Sequence, residues 1–338
     1  KNMYNVTATE ESFLNISFYF APEGFIKISL LLIMYPSTIR LFLYMFIGGS
    51  LSLVTISGNL LVITSVAYFK QLHTPTNYLI LSLAVADLLV GAVVLLFNMA
   101  LTVKSCLYFG NLSCKMRRSV DISLVTTSIL NLCCISIDRY YAVCQPLTYR
   151  SKINDSVVLL MILGSWSASA LSGFGIMFVG LRNLVCEGRC FIFHIPKSNT
   201  VGLIVSFYIP VMIMLCIYLK IFSVAQKQAR CIQNATCQAK KSIVKVNKTE
   251  RKATKTLAVV LGVFLFCWSP FFLSLTINPM TDYVIPSALI ETFSWLSWSN
   301  SMLNPFVYGF FYSWFRSAFR IIISGKIFKG NFKNTKLL

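Results

Sequence analysis

The chain has 338 residues, of which 56% are apolar and only 12% charged, with a mean hydropathy of +0.71. The charged share is about half that of ordinary soluble domains, which excludes a typical cytosolic enzyme, a disordered chain and a small disulfide-framework protein. Thirty Lys and Arg against eleven acids give a net charge of +19. On a soluble chain that balance would suggest nucleic acid; here the placement of the charge matters more.

A membrane helix needs roughly 20 consecutive apolar residues. Seven windows qualify: 41–68, 74–103 (with Asp87), 119–137 (with Asp121), 156–181, 198–219, 256–281 and 292–315. Backbone polar groups in lipid must be bonded internally, and no ten-residue alternation suggests a barrel, so these windows read as helices. The fold class is an all-α membrane protein, a seven-transmembrane helix bundle. Residues 28–39 are apolar but too short to span, and Pro36 interrupts them, so they read as an interfacial lead-in. No cleavable signal pattern precedes the first span, which is expected to direct insertion itself.

Orientation follows the positive residues. The segments 69–73, 138–155, 220–255 and 316–338 fall on one side and carry 20 of the 30 basic residues. That side is expected to be the cytoplasm. The layout is then an extracellular N-terminus over 1–38, a seven-transmembrane domain over 39–315 with a third intracellular loop at about 228–250, and a cytoplasmic tail over 316–338. Residues 313–325 alternate basic and aromatic, the pattern of a short amphipathic helix on the membrane after the seventh span. The sequons at Asn5 and Asn15 fall outside and are candidate glycosylation sites. The basic runs adjoin membrane spans and have few interleaved aromatics, so they read as meeting anionic lipid and not nucleic acid.

Most of the 11 Cys lie in helices and read as packing residues. Cys106, Cys114, Cys186 and Cys190 face the oxidising side and are free to pair. No cysteine pair or histidine cluster suggests a metal, no Gly-rich phosphate loop is present, and two histidines offer no Ser-His-Asp set. The chain reads as a non-enzyme. Ionisable residues at membrane depth are costly and are functional candidates by default. Here they are Asp87 in the second span, Asp121 near the outer end of the third, Asp138 and Arg139 at its inner end, and Glu291 at the outer start of the seventh. The seventh span has no Lys for a retinal Schiff base, and paired broken helices of a transporter are absent.

The motifs lie in order, one set per span: Gly58-Asn59, Leu83-Ala84-Val85-Ala86-Asp87, Asp138-Arg139-Tyr140, Trp166, Pro210 with Tyr218, Cys267-Trp268-Ser269-Pro270, and Asn304-Pro305-Phe306-Val307-Tyr308. On these the chain resembles the rhodopsin-like (class A) G-protein-coupled receptors along its whole membrane region. Residues 300–315, NSMLNPFVYGFFYSWF, resemble the seventh-helix fingerprint of the trace amine-associated receptors. Asp121, 18 residues before Arg139, stands where amine receptors of that family place their amine-binding aspartate.

The resemblance implies an amine ligand, a heterotrimeric G protein of stimulatory or olfactory type acting through cAMP, a plasma-membrane location and no cofactor beyond a regulatory Na⁺. Asp121 would pair with the ligand ammonium, although Arg117 and Arg118 one turn earlier offer it an internal partner. Trp268, Phe271, Phe272, Trp295 and Trp298 would surround the cation, or simply pack between helices. Trp298 stands where amine receptors usually carry a tyrosine bonded to the aspartate, and its indole N–H can still donate. Ile122, Val125, Ser206 and Ile192 complete the candidate contacts. Ser206 alone in its turn makes a poor catechol site. Glu291 suits a second ammonium, as in cadaverine or putrescine, or is a favourable helix-start charge.

By the same resemblance, Asp87, Ser128, Asn300, Ser301 and Asn304 would form an oxygen-rich Na⁺ site. Cys114 would bond to Cys190, and Cys186 would pair with Cys106 or stay free. Ile129, Pro210 and Phe264 match the family's transmission trio, and Tyr218, Pro270, Pro305 and Tyr308 belong to the same switch. Arg139 would pair with Asp138 and with Glu250, holding the receptor closed. Rival readings are a monoamine receptor, a peptide receptor of the same class, or a channel or transporter.

Overall fold

The computed structural model describes residues 37–103, 110–179, 200–233, 241–281, 284–328, 332–335 and 337. Among them every regular element is helical. Helix α1 spans Ser37–Tyr68. Helix α2 spans Pro75–Leu89, passes through a π-helical stretch Val90–Leu95 and continues as Leu96–Val103. Helix α3 is Gly110–Cys144 and α4 is Asp155–Val179, with a one-turn helix Tyr149–Lys152 between them. Helix α5 begins at Thr200–Leu203, has a π-helical stretch Ile204–Tyr208 and runs on as Ile209–Gln233. Helix α6 is Lys241–Ile277, α7 is Ser287–Phe311 and α8 is Ser313–Ile323.

Local chemistry sets several of these ends. Thr74 is extended, accepts a hydrogen bond from the Asn77 amide at 3.3 Å, and is followed by Pro75 at the first helical position. Tyr312 adopts φ −102° and ψ 111°, which ends α7 and turns the chain into α8. Trp314 and Phe315 therefore belong to α8, not to the seventh span that sequence alone extends to 315. Hydropathy had no reason to stop earlier, because the aromatic run continues across the break. The opposite error occurs elsewhere. Residues 228–233 and 241–250 are helical, inside the stretch assigned to the third loop. Hydropathy marks only the apolar part of a helix, and α5 and α6 continue past it in polar sequence. Residues 37–39, read as part of an interfacial lead-in, are the first turn of α1.

Among the described residues, six helices are long and apolar enough to cross a membrane. Helix α7 has 25 residues but falls outside that set. Its buried face carries Ser294, Ser297, Asn300, Ser301 and Asn304, which lowers its hydropathy without shortening it.

The helices close into a ring. Helix α3 packs on α2, α4, α5 and α6, while α7 packs on α6, α1 and α2. The polarity is inverted relative to a soluble bundle. Leu160 and Leu171 of α4 and Phe46 of α1 are more than 70% exposed on the outside, while Asn59, Asp87, Asn131 and Asp138 are fully buried. Lipid provides no hydrophobic drive between helices, so close backbone approach and polar contacts hold them. A Cβ at Gly173 of α4 would lie 2.1 Å from Ser123 Oγ and 2.4 Å from the Ser119 carbonyl of α3. Gly58 of α1 similarly faces Pro305 of α7, where a Cβ would stand 3.1 Å from its ring. Asn59 then donates from Nδ2 to the Ser301 carbonyl at 3.0 Å.

At the Arg139 end, residues after α8 fold back across the α1–α2 turn. The Lys70 amide donates to the Lys333 carbonyl at 3.2 Å, and the Leu337 amide to Gln71 Oε1 at 2.9 Å. Phe69, Leu72, Ala318 and Leu337 form a separate small core there.

Candidate functional site

Three polar stations lie along the bundle axis. The first is built on α3 and α7. Asp121 is buried, and Trp298 donates from Nε1 to its Oδ1 at 3.1 Å. Arg118, one turn earlier on α3, approaches Oδ2 at 3.6 Å. The internal partner foreseen for Asp121 is thus present beside the tryptophan donor. Trp295 meets the Trp298 ring edge-on at 5.4 Å. On α6, Trp268, Phe271 and Phe272 are all buried and pack edge to face or tilted on one another. Phe207 of α5 stacks on Phe272 at 3.9 Å.

Val125 and Ile122 lie on α3 within this region and are partly buried. Ser206, also partly buried, sits in the π-helical stretch of α5. A π turn rotates the residues before it relative to those after it, so such turns often occur at functional sites. The same stretch holds Tyr208, whose hydroxyl lies 2.9 Å from Thr276 Oγ1 of α6. That α5–α6 tie carried no sequence signal. Glu291 is partly buried in the second turn of α7. It precedes Trp298 by seven residues, so it stands on the same face about two turns, or ~10 Å, beyond it. Ile192, Cys106, Cys186, Cys190, Asn5 and Asn15 lie outside the described residues, as does the side chain of Cys114.

The second station is at mid-bundle. Asp87 is fully buried. Its Oδ1 accepts from Ser301 Oγ at 2.8 Å and Ser128 Oγ at 3.3 Å, and its Oδ2 from Asn304 Nδ2 at 2.7 Å. Three of the four expected companions are thus in contact with it. Asn300 is buried nearby in sequence on α7 but makes no bond to Asp87; its Oδ1, like Asn304 Oδ1, has no hydrogen-bond partner. Asn131, on α3 one turn from Ser128, is fully buried with both side-chain polar atoms unpartnered. It was missed because a lone Asn in an apolar run carries no motif.

The third station closes the other end. Arg139 donates from Nε to Asp138 Oδ2 at 2.8 Å and also touches it with Nη2. Two unforeseen residues complete the grip. Thr76 at the start of α2 donates to Oδ2 at 2.8 Å, and Tyr149 of the one-turn helix donates to Oδ1 at 2.8 Å. Arg139 also contacts Thr76 Oγ1. Burial, then the neighbouring Asp138 charge, push the Tyr149 phenol up to about 12, so it remains a donor. Tyr140 is partly buried and meets Tyr141 edge-on. Glu250 lies on α6, but its side chain is outside the described residues.

Between the stations, Ile129 and Phe264 are fully buried, and Pro210 is buried with its carbonyl facing Cys133 Sγ at 3.6 Å. Phe264 leans on Trp268 at 6.3 Å. Tyr218 lies partly buried on α5. Pro270 and Pro305 lie inside α6 and α7, where each removes a backbone bond and favours a kink. Tyr308 is buried against Phe315 of α8, ring centroids 5.9 Å apart.

A polytopic helical bundle with polar stations on its axis and proline-interrupted helices joining them is the architecture of a membrane signal receptor. The sequence profile of the family described as 7 transmembrane receptor (rhodopsin family) matches residues 58–308. Among similar proteins, Trace amine-associated receptor 1 of Homo sapiens is 44% identical over 299 residues, 84% of this chain and 88% of that protein. Trace amine-associated receptor 4 of Mus musculus is 42% identical over 315 residues, 89% of this chain and 90% of that protein. Trace amine-associated receptor 2 of Rattus norvegicus is 40% identical over 308 residues, covering 88% and 89% respectively. The chain belongs to the trace amine-associated receptors of the rhodopsin-like seven-transmembrane receptor family. It is a multi-pass membrane receptor, not an enzyme.

Proposed function

We propose that this chain is a plasma-membrane receptor activated by small amines, with the Asp121 end outside and the Arg139 end facing a stimulatory G protein that raises cAMP. The observation that carries the reading is Asp121 itself. Its carboxylate is buried, holds the Trp298 indole N–H on one oxygen and meets the Arg118 cation on the other. Such a site selects a compact ammonium, which can pair with Oδ2, the oxygen that accepts no hydrogen bond among the described residues, while ring faces surround its carbon-bound side. The relatives, named as trace amine receptors, support the same class. The basic loops and tail at the Arg139 end support the orientation.

Glu291 extends the reading to diamines. It lies ~10 Å beyond Trp298 on one face of α7, a span suited to a five-carbon diamine between Asp121 and Glu291. At mid-bundle we propose a Na⁺ site. Asp87, two serine hydroxyls and the unpartnered Asn300 and Asn304 oxygens supply the hard donors such a cation needs. Cys114 with Cys190 in a disulfide and glycans at Asn5 and Asn15 complete the proposal for the outer face.

The test is cAMP accumulation in cells expressing the chain, against cadaverine, putrescine and 2-phenylethylamine. Asp121→Asn abolishes every amine response, and Glu291→Gln weakens the diamines selectively. Equal potency of monoamines, with no effect of Glu291→Gln, removes the diamine reading. Intact responses in Asp121→Asn remove the amine site.

A further inference from the structure

Helix α3 carries two Asp–Arg pairs, and they differ in kind. At one end Arg139 holds Asp138 with two nitrogens, at 2.8 Å from Nε, and Thr76 and Tyr149 share the same carboxylate. At the other end Arg118 reaches Asp121 with one nitrogen at 3.6 Å. That distance is an ion pair but too long for a hydrogen bond. The Asp121 side chain is 8% exposed and that of Arg118 is 28% exposed. The anion is therefore fixed in the bundle, while the cation stands at the edge of water on a long, flexible stem. The Trp298 N–H occupies only Oδ1. The oxygen left for a ligand is Oδ2, the one Arg118 faces.

We infer that Arg118 is a tethered competitor of the ligand: its guanidinium neutralises Asp121 in the unliganded receptor, and an incoming ammonium must take its place on Oδ2. This rests on the amine reading of Asp121. The physical reasons are direct. An ammonium on Oδ2 makes a short charge-assisted hydrogen bond where Arg118 makes none. Two cations cannot share that oxygen without repulsion, so Arg118 must move outward, which its exposure and stem length allow. The exchange lowers the apparent affinity of every amine by the strength of the internal pair. It also removes the cost of an uncompensated buried carboxylate while the site is empty. Arg118 therefore sets a concentration threshold common to mono- and diamines, whereas Glu291 separates the two.

The experiment is amine-dependent thermal stabilisation of the purified receptor, a readout that does not depend on which G protein couples. Wild type, Arg118→Gln, Arg118→Lys and Asp121→Asn are titrated with 2-phenylethylamine and cadaverine. Arg118→Gln binds both amines about 3- to 30-fold more tightly, the range between an exposed and a partly buried ion pair. Arg118→Lys, which keeps the cation, stays within about 3-fold of wild type. If Arg118→Gln binds equally or more weakly while Asp121→Asn loses binding, the competitor role is overturned and the amine site stands. If Asp121→Asn binds as wild type does, the amine site itself falls. Should Arg118→Gln not fold, the wild-type protein still decides. The ¹⁵N side-chain signal of Arg118, assigned by its loss in Arg118→Lys, moves to a solvent-exposed position on amine saturation; an unmoved signal overturns the inference.

Discussion

The carboxylate of Asp138 is where a small perturbation should have the largest effect. It is fully buried, and its two oxygens are held by different partners: Oδ1 by the Tyr149 hydroxyl at 2.8 Å, Oδ2 by Thr76 and Arg139 at 2.8 Å each. Tyr149→Phe removes one oxygen atom and keeps the ring. It leaves Oδ1 of a buried anion without its donor. A hydrogen bond to a charged group contributes about 1.5–3 kcal/mol, and ~1.4 kcal/mol is tenfold in an equilibrium. The arrangement with Asp138 and Arg139 locked together should lose about 10- to 150-fold in population against arrangements in which Arg139 is released. The assay is nucleotide exchange on purified G protein with no ligand present, alongside the half-inactivation temperature of the receptor. Ligand-free exchange rises and the temperature falls. Thr148→Ala is the control, because Thr148 is exposed and its side chain bonds only Gln145. Unchanged basal exchange together with an unchanged inactivation temperature in Tyr149→Phe would refute the reasoning. Because Thr76 grips the same carboxylate, Thr76→Val combined with Tyr149→Phe should deviate from additivity.

Other expectations follow from the same geometry. Gly173→Leu forces side-chain atoms into the space of Ser123 Oγ and the Ser119 carbonyl; it should lower the half-inactivation temperature by an amount matching more than about 3 kcal/mol, and wild-type stability would disprove the close α3–α4 seam. Trp298→Phe removes the donor to Asp121 Oδ1 and should weaken amine binding about 10-fold, with Trp298→Tyr recovering part of it; equal affinity of all three in a binding titration would make the indole N–H irrelevant. Asp87→Asn removes the only carboxylate among the Asp87 cluster. Sodium is expected to reduce amine affinity in wild type and to have no such effect in Asp87→Asn, and equal sodium sensitivity of both proteins would dismiss the cation site.

Much of the bundle was legible because membrane helices announce themselves by apolar length. The failures share a cause: hydropathy measures the solvent preferred by a segment, not its backbone. It ran past Tyr312 because Trp314 and Phe315 are as apolar as the seventh span, and it stopped short in α5 and α6 where helix continues through polar residues. Motif residues of the site were legible one by one, since Asp87, Asp121, Asp138 and Arg139 are charges in apolar sequence. Their partners were less so. Arg118 could be seen from its three-residue spacing to Asp121. Tyr149 and Thr76 reach Asp138 from 11 and 62 positions away, and no local pattern marks them. The π-helical stretches were invisible for a similar reason. Ser52 Oγ donates to the Gly91 carbonyl at 2.8 Å inside one of them, and such a tertiary bond leaves no trace in a hydropathy window.

The fold-back of residues 332–337 across the α1–α2 turn changes how the base of the bundle can deform. Helix α8 is held to Phe69 and Leu72 through Ala318 and Leu337, and Arg316 donates to the Phe310 carbonyl at 2.9 Å. The α1–α2 turn, α8 and the returning strand of chain thus make one mechanical footing. Helix α7 joins it through the extended residue Tyr312 and through the Arg316–Phe310 bond. A displacement of the Asn304–Tyr308 segment against this footing would be taken up at the Pro305 interruption of α7 or at Tyr312, where the helix ends. The base of the receptor is thus a braced corner, and Pro305 and Tyr312 are the joints between it and the rest of α7.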